Sequence, residues 1–367
     1  MEESMSQPGI FCIQCGCAYP TGTHPSQCPN CGGLFDFRGS LHFDPELVDC
    51  SQPGIWRYRH TFCLPAELEP VSLGEGSTPL VWAKVLGRRV AFKCEYLNPS
   101  GSFKDRGSAL IAAWLRGQGV REVVEDSSGN AGASLAAYAA RAGIKAHIYV
   151  PESASGPKRK QIEAYGAELV PIPGSRSDVA EAVRSVAEAG AAYASHAYLP
   201  FNLPGYATAA YEIADQLGWM PGSVIVPAGQ GGLLLGLARG FEALRIANKI
   251  DTGPTLIGVQ ALACSPLVDK FSGGNSGADL EQPTLAEGVR VGNPLRKEAV
   301  LAAVKASHGW MVATDETEIL PARSVLGGLG FYVEPTSAIV WAALKQYIDK
   351  LPNPIVLVLT GSGLKYG

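Results

Sequence analysis

The sequence predicts an α/β chain of two open, mostly parallel-sheet domains preceded by a small cysteine-rich ribbon. Three observations lead there. Short apolar runs alternate with helix-period runs from about Arg121 onward, glycine closes several of the helix-period runs, and five of the nine cysteines fall within the first 31 residues. Strands joined through helices must run mostly parallel, because only a crossover of that length returns the chain to the same edge.

Cys12, Cys15, Cys28 and Cys31 form CIQC and CPNC, two CxxC knuckles each followed by glycine (Gly16, Gly32). Four thiolates in two tight turns close a tetrahedron around Zn²⁺, and metal binding then replaces the core that a ribbon over residues 1–40 cannot build. Free surface thiols are the alternative reading, which the turn residues in both knuckles argue against. Cys17 is a spare thiol or a competing ligand. Four thiolates leave no open position, so a structural Zn²⁺ is expected rather than a catalytic one.

Farther on, REVVE leads through SSGNAG into ASLAAYAARAG, followed by KAHIYVP, SGPKRKQIEAYG, AELVPIP, SDVAEAVRSVAEAG and AAYAS. A second series runs SVIVPAG, GGLLLGLARGFEALRIAN and TLIGVQ, then SAIVWAALKQYIDKL and PIVLVLTGSG. These are alternating strand and helix lengths. The expected division is a large α/β domain from residues 41–120 and 211–367 and a small one over 121–210, with ligands at the carboxyl ends of the strands. Ser272 to Pro283 reads as a loop.

Composition excludes several function classes. Hydrophobic residues make up 46% and charged ones 17%, as in a compact globular chain. The net charge of −4, without a basic stripe, argues against nucleic acid and membrane surfaces. No run of 18 apolar residues escapes Gly, Pro or charge, and MEESMSQPGI lacks an apolar segment. Neither a transmembrane helix nor a signal peptide is expected, and a cytoplasmic location is.

Three glycine-rich loops follow strand-like runs: SSGNAG (Ser127 to Gly132), PAGQGGLLLG (Pro227 to Gly236) and LTGSGLK (Leu359 to Lys365). The first opens a helix whose free N–H groups suit a carboxylate or phosphate. The second lets backbone approach an anion closely but matches neither the Walker pattern nor, cleanly, the dinucleotide fingerprint. Each alone is equally a tight turn. A fourth stretch, NPSGSFKDRGSAL, sets Lys104 in what reads as a constrained loop. An anion cradle, a carboxylate-binding helix start and one such lysine are the parts needed to hold a phosphorylated aldehyde as a Schiff base. For Asp105 and Arg106, an ion pair that shapes the loop is an equal explanation.

NPSGSFKDRG resembles the cofactor-lysine motif of the pyridoxal-phosphate enzymes of the tryptophan-synthase β fold, fold type II, in the variant carried by threonine synthases. LGEGSTPL, VAFKCEYLNPS, SSGNAGASLAAYAARAG, EPTSA and TGSGLK resemble that family too, and a branch of it carries an N-terminal CxxC…CxxC ribbon. The resemblance spans nearly the whole chain. It implies that Lys104 is the Schiff-base lysine and proton shuttle, that Phe103 packs beside the cofactor ring and that Asn130 bonds its 3′-oxygen. Gly229, Gln230, Gly231, Gly232 and Leu233 would cradle its phosphate, and Thr360 would meet the pyridine nitrogen. Ser127, Ser128 and Ala131 would bind the substrate carboxylate. The large domain would then hold the cofactor, the small one would move, and the chain would act on a small amino acid as a homodimer.

The implied reaction is that of threonine synthase, O-phosphohomoserine plus water to threonine and phosphate. The alternatives are a serine or threonine ammonia-lyase or a β-replacement synthase on a serine derivative. A non-catalytic zinc-mediated interaction protein is a third, against which the intact lysine and loops argue. The family's threonine synthases hold the substrate phosphate with Asn-Ser-x-Asn-Pro-x-Arg-x-x-Gly. Here the stretch reads HAYLPFNLPGYAT, with His196, Ala197, Leu199 and Asn202 where Asn, Ser, Asn and Arg are expected. His196 and Asn202 are therefore candidate substrate-binding residues, and Lys158, Arg159 and Lys160 are candidate sources of charge or, equally, a solvated helix face with KxxE-type pairing. GQGGLLLG is closer to the loop of the ammonia-lyases.

Overall fold

The structure, a computed structural model, describes residues 9–153, 156–249, 252–274 and 282–366. Of the loop expected at Ser272 to Pro283, residues 275–281 lie outside the described residues. The chain divides into two compact units.

The first unit comprises Met1–Glu75, Lys104–Gly205 and Glu242–Ala247. Its N-terminal part is a two-stranded antiparallel ribbon, Ile10–Cys12 against Phe35–Phe37. Its main sheet has four parallel strands in the order Glu168–Ile172, Lys145–Pro151, Glu122–Glu125, Ala192–Tyr193. Helices Asn130–Ala142, Pro157–Ala164 and Arg176–Glu188 make the crossovers. Helix Lys104–Gly117 packs on Asn130–Ala142, and the buried residues of both include several alanines. Tyr19 of the ribbon segment docks edge-on against Trp114 and Phe201, with centroids 5.7 and 5.4 Å away. Those two rings stack on each other at 3.9 Å. Each such aromatic pair adds about 0.5–1.5 kcal/mol beyond its buried area.

The second unit comprises Gly76–Phe103, Tyr206–Phe241 and Asn248–Gly367. Six strands run in the order Trp310–Thr314, Thr255–Ala261, Ser223–Pro227, Ile355–Val358, Arg88–Lys93, Leu80–Val85. All neighbours are parallel except the last pair, an antiparallel hairpin at the edge. The central strands SVIVP and IVLV are buried along their whole length, which is why they read as continuous apolar runs rather than alternating ones. Lys93 Nζ, on the hairpin, is buried 2.7 Å from Glu212 Oε2 and also donates to Thr78 O and Gln216 Oε1. The α/β class with mostly parallel sheets is thus as the sequence predicts. Among the described residues no helix is long and apolar enough to cross a membrane.

Candidate active site

Lys104 differs from its expected setting in a loop: it is the first residue of helix Lys104–Gly117. The loop-forming NPSGSF ends at Phe103, and the run Ala109–Leu115, buried throughout, extends the helix back to the lysine. Asp105 and Arg106 are buried in the first turn, and Asp105 Oδ1 accepts from Ser134 Oγ at 2.6 Å, tying this helix start to helix Asn130–Ala142. Gly205 keeps the next helix close, since a Cβ there would lie 2.1 Å from the Arg106 carbonyl oxygen. Burial pushes the Lys104 amine down from the usual 10.5 to about 7, with Glu125 opposing the shift and Arg176 adding to it. A lysine so placed is half neutral near neutral pH, as a nucleophile or base requires.

Strand Glu122–Glu125 runs into the SSGN loop. Ser127 is buried, and its Oγ accepts from the Gly129 N–H at 3.2 Å. Ser128 lies half-buried beside it, Gly129 caps the helix, and Asn130 and Ala131 form the helix's first turn. The structure therefore brings Ser127, Ser128, Asn130 and Ala131 together at a helix N-terminus, a site suited to a carboxylate.

His196 and Asn202 are placed differently from an open phosphate clamp. Asn202 is 1% exposed at the start of helix Asn202–Leu217, and its Nδ2 donates to the His196 carbonyl. An arginine at 202 would have to bury its guanidinium, so restoring the family's clamp there is not a simple exchange. The His196 ring, 19% exposed, has Nδ1 3.3 Å from Glu125 Oε1. Burial, then the neighbouring Asp126, holds the Glu125 carboxyl well above the carboxylate range. Burial, then the charges of Lys104 and Arg176, holds His196 well below its ordinary value. Glu125 and Arg176 escaped the sequence reading. Glu125 ends a strand like any solvated residue, and Arg176 opens a helix; only the sheet order brings both near Lys104.

In the second unit, Phe103 N–H donates to Thr360 O at 3.0 Å, and the Phe103 ring lies 5.2 Å from Tyr206. The Thr360 hydroxyl is buried 3.1 Å from Ser337 Oγ, which accepts the Gly361 N–H. Gly229, Gln230, Gly231, Gly232 and Leu233 form one turn into helix Gly232–Ile246. Only glycine fits at two of these positions. A Cβ at Gly229 would lie 2.7 Å from Gly288 O, and one at Gly231, which has φ +77°, would lie 2.5 Å from Val300 Cγ2. Gln230 Oε1 accepts the Leu295 N–H, which turns that side chain aside. The result is bare backbone at a helix N-terminus, the setting that binds phosphate. Each taken by itself, the turn suits a phosphate and the lowered lysine suits an aldehyde. Lys158, Arg159 and Lys160 lie on helix Pro157–Ala164, where Arg159 Nε is 3.8 Å from Glu163 Oε1.

In the ribbon, the ligand atoms of Cys12, Cys15, Cys28 and Cys31 all lie within 4.8 Å of one another. Each knuckle is closed by a backbone bond, Gly16 N–H to Cys12 O and Gly32 N–H to Cys28 O. Cys17 is outside the cluster and accepts from Asn30 Nδ2. The four thiols could hold a metal ion.

Comparison with known proteins agrees with this chemistry. A profile described as pyridoxal-phosphate dependent enzyme matches residues 71–361. Threonine synthase from Methanocaldococcus jannaschii is 34% identical over 96% of this chain and 92% of its own length. Among solved structures, maize serine racemase superposes with a TM-score of 0.68 at 25% identity, covering 78% of this chain and 88% of its own. The threonine deaminase of T.th. gives 0.66 at 29%, covering 78% and 92%.

Proposed function

Because the chain belongs to the pyridoxal-phosphate dependent enzymes, we propose that it is a lyase of the threonine synthase type, converting O-phosphohomoserine and water to threonine and phosphate. The observation that carries this reading is the near full-length identity to threonine synthase, together with a lysine amine lowered to about 7. When bound, the cofactor supplies electron withdrawal from the substrate α-carbon. Lys104 would hold the cofactor; toward the substrate its amine would take the α-proton, relay protons at Cβ and Cγ as phosphate leaves Cγ, and return one to Cα once water has added at Cβ. Ser127, Ser128 and Ala131 hold the substrate carboxylate and so fix which face of Cα meets Lys104. Gly229 to Leu233 would hold the cofactor phosphate, Asn130 its 3′-oxygen and Thr360 its ring nitrogen, while Phe103 would pack at the ring. A neutral hydroxyl at Thr360 does not keep that nitrogen protonated, which moderates the electron withdrawal.

Incubation of the purified protein with O-phosphohomoserine is expected to yield threonine and inorganic phosphate in equal amounts. Conversion of serine or threonine to a keto acid and ammonia, without turnover of O-phosphohomoserine, would instead favour an ammonia-lyase. That second reading has support in the inward-turned Asn202 and in the likeness to threonine deaminase.

Cys12, Cys15, Cys28 and Cys31 are read as a structural Zn²⁺ site. Metal analysis is expected to give one Zn²⁺ per chain, and chelation to loosen the ribbon first, seen as faster proteolysis before Lys104. Carefully purified, stable protein without zinc would count against it. Exposed apolar side chains at Leu97, Tyr332 and Leu364 support a homodimer, and a cytoplasmic location belongs to the same reading.

A further inference from the structure

We infer that the phosphate clamp missing at residues 196–205 is rebuilt from other residues at the carboxyl ends of the first unit's strands. Arg176 and the Nε2–H of His196 hold the substrate's distal phosphate, and Glu125 fixes the His196 tautomer. This deepens the reading as a threonine synthase and rests on it.

Arg176 is the cation in the right place. It opens helix Arg176–Glu188 directly after strand Glu168–Ile172, and a capping box between Ser175 and Asp178 sets that helix start. Its Nη1 reaches to 3.5 Å from the Asp126 carbonyl oxygen, one residue ahead of Ser127. Among the described residues no carboxylate forms an ion pair with it, so its planar fork is available for a bidentate anion. Its charge acts on Lys104, Glu125 and His196 alike.

His196 supplies a directed donor. Glu125 is 1% exposed, 3.3 Å from His196 Nδ1, and its second oxygen, Oε2, is buried with no partner among the described residues. The groups facing this pair are Asp126 just after its strand, Tyr193 on the next strand, Lys104 at the helix start and Arg176. Tyr193 OH is engaged with Asp126 Oδ1 at 2.9 Å. Burial favours the neutral form of both partners, so a protonated Glu125 donates to Nδ1 and the hydrogen of the imidazole stays on Nε2. A neutral N–H beside a guanidinium binds a phosphate dianion without adding a second buried charge.

The test uses the cofactor-loaded full chain. Arg176→Gln should raise KM for O-phosphohomoserine about 10- to 100-fold, the loss of one charge-assisted contact, with a smaller change in kcat. Inorganic phosphate, titrated while the cofactor absorbance is recorded without turnover, should bind correspondingly more weakly. Arg176→Lys should fall between. Glu125→Gln keeps a donor toward Nδ1 and should retain most of the affinity, whereas Glu125→Leu should lose it. Wild-type KM and phosphate affinity in Arg176→Gln overturn the inference, as does a loss caused by Lys160→Gln instead. A wild-type chain inert toward O-phosphohomoserine refutes the functional reading itself. Titration with O-phosphoserine then decides the clamp separately: binding that depends on Arg176 sustains it, and binding that does not overturns it.

Discussion

Lys104→Ala is expected to lower turnover by about four orders of magnitude and to abolish the visible absorbance of the bound cofactor, with little change in unfolding free energy. The last point follows from the setting: the side chain is half-buried at a helix start, and the helix is anchored by Asp105 and the buried run behind it. Among the described residues two lysines are fully buried, and both have other work. Lys93 Nζ is taken by Glu212, Thr78 O and Gln216, and Lys365 Nζ by the Ser100 carbonyl. Neither offers a free amine without breaking a buried contact. The pH dependence has a definite sign. With the amine lowered to about 7, cofactor attachment to cofactor-free protein should quicken as pH rises through that value and level off above it, because only the neutral amine attacks. Borohydride reduction followed by digestion checks the assignment; a label on any lysine but Lys104 would sink it.

Much of this centre was legible in the chain because its parts are local. The knuckle spacing, the SSGN helix start and the glycine turn at 229–232 each depend on a few consecutive residues, and the structure places each on the predicted kind of element. The helix beginning at Lys104 was less visible, since Pro99, Gly101 and Ser102 signal a loop while the buried face that decides the helix lies five residues on. Sheet order was not legible at all. Periodicity identifies Glu122–Glu125 and Ala192–Tyr193 as strands but carries no sign that they are neighbours, and that adjacency sets His196 beside Glu125. The edge hairpin of the second unit was hidden similarly: Leu80–Val85 and Arg88–Lys93 pair antiparallel through a two-residue turn, in a region where the alternation of strand and helix had not begun.

Gly132→Ala is expected to be the most damaging single-methyl change at the SSGN helix start. Gly132 stands on the first turn of helix Asn130–Ala142, where a Cβ would lie 1.8 Å from the Ser127 carbonyl oxygen and 3.3 Å from Ile148 Cγ2. No side-chain rotation relieves a contact with backbone, so either the helix start or the SSGN loop must move. Both carry candidate ligands, with Ser127 and Ser128 on one side and Asn130 and Ala131 on the other. A shift of about 1 Å in such groups costs about 10²-fold in rate, while overpacking of this kind costs about 1–3 kcal/mol of stability. The expected result is therefore a variant that still folds, with kcat/KM down about two orders of magnitude and the cofactor still bound through Lys104. Gly129 provides the contrast, because a Cβ there meets only Ser127 Oγ at 3.7 Å, an ordinary contact, so Gly129→Ala should lose far less. Equal losses in the two variants, or undiminished kcat/KM in Gly132→Ala, would mean that the spacing of helix and loop does not control the chemistry.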